Sequence, residues 1–367
     1  MGHPQRELRP YRIGAMIDLP GYPGYTDMFP DAVEFALQEA YQSGLIDRPV
    51  EVIRRVFFAQ PWDGAEPAIE AYLDLCNREQ VLGIAGGIIT DNSLALLPAI
   101  ERRGVPLISN CGSQLFVGHN AFSLSNGGMG DEPAVMAAWL RSQGLRRIAV
   151  IKESPSQIGE EYAYYLRLSA RMEKLAIVSE YGVAPVAEID EIVAGLTQLR
   201  ASNADALVYL GLGLLPGKLK QALAHMDWHP PRIMSTAFVA AMYNQALLPD
   251  YEGWVGVDQY HEGNTVLSRL VARAADKGRK LVANTGTSVG YDAGNVLAIA
   301  LSRMRIATPA ALRDALETVR MIPAATGAPG TIITFGPQDH RGYKGVGFLT
   351  LRRGLADRTE LVGIAPL

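Results

Sequence analysis

Residues 81–113, VLGIAGGIITDNSLALLPAIERRGVPLISNCGS, constrain the fold more than any other stretch of the chain. An apolar run at 81–85, closed by Gly86 and Gly87, has the pattern of a strand buried on both faces. Thr90, Asp91, Asn92 and Ser93 follow, residue types that accept the free N–H groups at a helix start. Residues 94–103 carry apolar side chains at helical spacing, Gly104 stops the helix, and 105–108 form a second short strand leading into the polar turn 109–113. Strand, helix and strand with short links make a right-handed parallel unit. Both polar turns then lie at the carboxyl edge of one sheet, where open α/β folds bind ligands. A helix start with free N–H groups beside hydroxyls suits a carboxylate or another anion.

The rest of the chain repeats this alternation. Residues 12–18 read as the first strand, and the Pro- and Gly-rich loop 19–25 delivers Tyr22 and Tyr25. A helix capped by Thr26 or Asp27 runs to Ser43, a strand covers 50–57, a turn carries Trp62 and Asp63, and 65–77 is helical. Composition changes at 125–128. A second alternation then runs from a helix at 131–143 to a strand at 232–235. The apolar strand 252–260 is expected to cross back, followed by helices at 264–277 and 288–306. A further helix is capped by Thr308 with Pro309 at its first position. Segments 331–335, 346–351 and 361–364 read as closing strands. Two successive patterns of this kind predict an α/β protein of two doubly wound, Rossmann-like lobes.

The 367 residues are ample for two such lobes. A formal net charge of -4 argues against a nucleic-acid surface, which needs a basic excess. No apolar run reaches the roughly 18 residues of a membrane span, so no membrane insertion is expected. Residues 1–19 lack an apolar leader core, so the chain as written is expected in the cytoplasm, or in the periplasm as a mature form with a new start. Cys76 and Cys111 are too few for a disulfide framework. The six histidines show no metal-ligand spacing, and 211–217, GLGLLPG, lacks the Lys-Ser/Thr ending of a phosphate loop. Neither a metal nor a cofactor is expected. Cys111 and His119 have no third orienting residue, so Cys111 reads as a small thiol lining a cleft rather than a nucleophile.

Residues 81–113 resemble the corresponding segment of type I periplasmic ligand-binding proteins, the leucine/isoleucine/valine-binding group of transporter receptors. That family's order is an apolar strand, Gly, a Ser/Thr-rich turn, a helix, Gly-Ile-Pro (here Gly104-Val105-Pro106), a strand and a small-residue turn ending in Ser or Thr. The resemblance extends from about Tyr11 to about Leu361. It implies a type I periplasmic-binding-protein fold, with three hinge crossings near Ser125, Gly256 and Gly327 and lobes that close on a ligand. Lobe 1 is expected at 11–125 plus 257–327, and lobe 2 at 126–256 plus 328–367.

The same resemblance implies ligand-carboxylate contacts at Thr90 and Ser113, with a backbone contact at Cys111. In the second lobe Leu212 and Ile158 stand where the family has binding aromatics. Residues 234–238 resemble the stretch holding the acid that pairs with an amino acid's ammonium group. Ala237 takes that place, or Thr236 or Phe238 if the alignment shifts, and none is acidic. Burying an ammonium without a counter-charge is costly. Leu212, Ile158 and Phe238 would make this wall apolar, with Tyr22, Tyr25 and Trp62 as aromatic faces opposite. Asp91 would supply the missing charge by turning into the cleft. The expected function is non-catalytic capture of a carboxylate lacking an α-amino group (aromatic, branched or keto acid), delivered to an ABC permease. The alternatives are a cytoplasmic sensor resembling the amide-sensing regulators, with a regulatory protein partner, and an enzyme on this fold, for which no residue set argues.

Overall fold

The computed structural model describes residues 9–19, 25–345 and 347–364. Its first sheet contains β1 (Tyr11–Ile17), β2 (Val50–Val56), β3 (Gly83–Gly86), β4 (Leu107–Ser109) and β5 (Ala121–Ser123), in the order β2-β1-β3-β4-β5 with every pair parallel. Helices α1 (Tyr25–Gln42), α2 (Glu66–Asn77) and α3 (Thr90–Arg103) make the crossovers. Ile13, Ala15, Ile17, Ile84 and Ala85 are fully buried, which is why β1 and β3 read as unbroken apolar runs.

After β5 the chain passes through α4 (Glu132–Ser142) into a second sheet. There β6 (Arg147–Glu153), α5 (Gln157–Met172), β7 (Ala176–Val183), α6 (Ile189–Ala201), β8 (Ala206–Leu210), α7 (Pro216–His225) and β9 (Arg232–Met234) alternate. Short helical turns, including α8 (Ala240–Tyr243), lead to β10 (Val255–Asp258). Helices α9 (Thr265–Asp276), α10 (Thr285–Arg303) and α11 (Pro309–Leu316) return to the first sheet. Gly290 and Gly294 of α10 sit so close to the Phe29 and Val33 carbonyls of α1 that a Cβ would collide. Thr308 caps α11 by accepting the Ala311 N–H at 3.2 Å, as its sequence suggests.

The closing segment departs from the sequence reading. β11 (Ile322–Pro323) pairs with β12 (Ile332–Ile333), Ile333 bridges Tyr343, and Arg341 bridges Ser123 of β5, so 332–343 stays against the first sheet. The strand expected from 346 begins only at β13 (Thr350–Gly354), which with β14 (Thr359–Ile364) completes the order β14-β13-β10-β9-β8-β6-β7. β6 through β10 run parallel, and β13 and β14 are antiparallel. Gly256 lies inside β10, hydrogen-bonded to strands on both sides. The chain leaves this sheet just beyond it, at Gln259, whose side chain accepts the Gly127 N–H at 2.8 Å and donates to the Ser125 carbonyl at 2.8 Å. The Gln259 carbonyl also accepts the Gly327 N–H at 2.7 Å.

Gly256 faces Phe238, and a Cβ there would overlap the ring. Gly256→Ala is therefore expected to destabilise the protein by about 1–3 kcal/mol, the usual cost of overpacking a close-packed site. Urea unfolding reads this directly, and an unchanged midpoint would show that Phe238 has room to move.

Candidate functional site

A cavity of about 450 Å³, part of it open to solvent, lies between the carboxyl edges of the two sheets. Leu19, Ile88 and Thr90 line it from the first sheet, and Asn126 and Met129 from the segment between the sheets. Ile158, Tyr162, Gly211, Leu212, Thr236, Ala237, Ala240 and Tyr243 complete the wall. No lining side chain is an acid, a base or a histidine. The polar groups facing the space are hydroxyls and one amide.

The start of α3 is built differently from the sequence expectation. Ile89, not a polar residue, occupies the N-cap, and Thr90 is the first helical residue. Asp18, just past the end of β1, braces the turn before the helix: its carboxylate accepts Ile88 N at 2.9 Å, Ile89 N at 3.1 Å and Asn92 Nδ2 at 3.2 Å, while no side chain caps the first turn of α3 itself. Burial raises the Asp18 pKa. Thr90 lines the cavity, and behind it the Cys111 thiol donates to Thr90 Oγ1 at 3.8 Å. Burial pushes that thiol up to about 12, so little thiolate forms at neutral pH. His119 sits instead beside Arg313, 3.1 Å away.

Ser113 and Asp91 do not line the cavity; both reach across to the other sheet's helices. Ser113 Oγ donates to Glu161 Oε2 at 2.5 Å, and Gln114 N donates to Glu161 Oε1 at 2.6 Å. Asp91 turns to the start of α5, accepting Gln157 N at 2.9 Å and Ser156 Oγ at 3.4 Å. Helix starts attract carboxylates because their first N–H groups lack partners. Asp91 is thus drawn to α5 rather than into the cleft.

Ile158, Leu212 and Ala237 reach the cavity wall. Phe238 does not: it turns into the second core, edge-on to Tyr251 with ring centroids 5.7 Å apart. Trp62 is 42% exposed and packs edge-on against Phe58 at 6.0 Å, away from the cavity lining. Tyr22 lies outside the described residues, and Tyr25 opens α1 with its side chain outside them. Directly beneath Thr236 lies Glu132, a fully buried acid that sequence reasoning left on an ordinary helix. It accepts Gly128 N at 2.6 Å, Tyr162 OH at 2.7 Å, Thr236 N at 2.6 Å and the Thr236 hydroxyl. Those four donors fill the acceptor positions of a carboxylate. Burial nevertheless pushes Glu132 up to about 7. Among the described residues no group of three or more His, Cys, Asp or Glu is arranged to hold a metal ion, and no helix is long and apolar enough to cross a membrane.

The chain that builds this cleft between two sheets matches the family model described as periplasmic binding protein over residues 10–355. The chain belongs to this family. Solved structures of the same fold include a periplasmic binding protein type 1 from Bordetella pertussis Tohama I, with a TM-score of 0.80 and 18% identity, covering 97% of this chain and 100% of that one. A possible leucine/isoleucine/valine-binding protein from Rhodopirellula baltica SH 1 superposes with a TM-score of 0.82 at 15% identity over 97% of both chains. The branched-chain amino acid transporter substrate-binding protein of Streptococcus pneumoniae, solved with isoleucine, gives 0.77 at 18% identity, covering 97% of this chain and 100% of that one. Among curated proteins, none matches the sequence.

Proposed function

We propose that this periplasmic binding protein captures a small organic carboxylate lacking an α-ammonium group, as the substrate-binding component of an ABC uptake system that delivers to a permease. The observation that carries this reading is the neutral cavity wall. Thr90 at the start of α3 offers a hydroxyl and a helix N-terminus to an anion. Among the described residues no acid lines the cavity to pair with an ammonium, and Glu132, behind Tyr162 and Thr236, already accepts four donors of its own. Leu19, Ile88, Met129, Ile158 and Leu212 suit an aromatic, branched or keto acid better than an α-amino acid, whose ammonium would sit beside the carboxylate. The lobes close about the segments that meet at Gln259, and the third crossing falls between Tyr343 and Thr350 rather than at Gly327.

A thermal-shift panel pairing each amino acid with its deaminated analogue tests this reading. A bound ligand at 100 times its Kd adds about 2.7 kcal/mol to apparent stability. Deaminated acids are expected to raise Tm and their parent amino acids to leave it unchanged; the reverse pattern overturns the reading.

A further inference from the structure

A second, smaller pocket of about 270 Å³, part of it open to solvent, lies beside the main cavity. Ile158 and Leu212 line both spaces and so form the partition between them. The helix start of α3 divides in the same way: Thr90 lines the main cavity and Asp91 the side pocket. Across from Asp91 stands Glu153, the last residue of β6, fully buried and also lining the pocket.

Glu153 is a buried acid with one carboxylate oxygen unfilled. Its Oε1 accepts Tyr209 OH at 2.5 Å and the backbone N–H groups of Leu212 and Gly213 favour its charged form, but Oε2 has no well-aligned hydrogen-bond partner among the described residues. Lys152, its neighbour on the strand, points to the other face and pairs with Glu160 at 2.6 Å and Glu180 at 3.2 Å. No ion pair of Glu153 occurs among the described residues, and Asp91 adds a second negative charge that raises the Glu153 pKa further, after burial itself. Asp91 accepts Gln157 N and Ser156 Oγ, so it adds negative field to the pocket while Glu153 Oε2 is the oxygen left without a donor. An orphaned buried carboxylate oxygen is costly until a donor, above all a cationic one, reaches it. Two carboxylates are too few for a dedicated metal cage. An ammonium or guanidinium group, with several N–H donors, fits what is offered.

We propose that the captured ligand carries a cationic group at the end remote from its carboxylate, and that this group docks on Glu153 Oε2 in the side pocket. The ligand is then an ω-amino or ω-guanidino carboxylic acid whose apolar spacer passes Ile158 and Leu212. The inference rests on the proposed carboxylate site at Thr90 for the other end of the molecule.

Calorimetry and thermal shift with γ-aminobutyrate, δ-aminovalerate, ε-aminocaproate and their guanidino analogues test it. Each is paired with its N-acetyl form and with the unsubstituted acid of the same chain length. At least one cationic member is expected to bind wild-type protein at least about tenfold more tightly than its acetylated partner, the usual worth of a hydrogen bond to a charged group. Glu153→Gln is expected to erase that preference. The wild-type comparison stands without the variant, should glutamine prevent folding. Equal binding of cationic and acetylated forms overturns the inference, as does a preference that survives in the variant or a panel with no binder. If unsubstituted acids bind and cationic ones do not, the carboxylate reading survives alone. Binding of α-amino acids in preference to the whole panel removes both.

Discussion

Glutamine in place of Glu132 is expected to flatten the fall of stability that wild-type protein shows between pH 4.5 and about 7. Burial raises this carboxyl from its ordinary value of 4.5 to about 7, against the lowering effect of its four donors. Across that window the folded protein keeps a proton that the unfolded chain has released. The stability from this site is therefore fully present below 4.5 and is lost as pH rises through 7. One such proton corresponds to a slope of about 1.4 kcal/mol per pH unit, or on the order of 3 kcal/mol over the window. Glu153, raised to about 7, and Asp292, raised to about 6, push in the same direction. Glu79 and Asp205, whose pKa values are lowered by Arg12 and by the Arg147 backbone, act below this window, where their stabilisation is lost as pH falls. All of these persist in Glu132→Gln, so the difference between variant and wild type isolates the one site. Unfolding free energies from urea titrations at several pH values give that difference. It should shift in the variant's favour by about 3 kcal/mol from pH 4.5 to 7, on top of a pH-independent offset. Parallel curves would mean that Glu132 stays ionised while buried.

Local features of this sequence were legible, and features completed from a distance were not. Runs such as 206–210 are apolar on both faces, so β8 could be placed to the residue. The Thr308-Pro309 cap was legible because donor and acceptor lie within one turn. The start of α3 differs because the four capping residue types at 90–93 lie inside the helix after Ile89, and the turn before it is held by Asp18, which is remote in sequence. Glu132 and Glu161 looked like ordinary helical charges, since the partners that bury them, Thr236 and Ser113, are remote in sequence. Residues 236–251 form short turns with no period to recognise, and there a single step decides a role: Ala237 lines the cavity and Phe238 turns into the core.

The contacts of Ser113 set up the second large effect, because they make it part of a latch between the lobes rather than a ligand contact. Helix α5 carries Gln157, whose N–H meets Asp91 at 2.9 Å, and one turn later Glu161, which takes Ser113 Oγ at 2.5 Å and Gln114 N at 2.6 Å. These bonds join the two sheets' elements across the cleft, so under the proposed hinge closure they hold the closed state. Each is a hydrogen bond to a charged group, worth about 1.5–3 kcal/mol. Apparent affinity scales with the population of the binding-competent closed state, so weakening the latch lowers affinity without touching the ligand. Glu161→Gln is expected to weaken ligand binding at least about tenfold. Small-angle scattering should show a larger radius of gyration before ligand, converging on the wild-type value at saturation. Ser113→Ala should produce the same loss. The decisive measurement is the double variant. Two residues sharing one hydrogen bond are strongly non-additive, so Ser113→Ala with Glu161→Gln should bind hardly worse than either alone. Additive losses would instead place the Ser113 hydroxyl on the ligand and leave Glu161 as a separate contact.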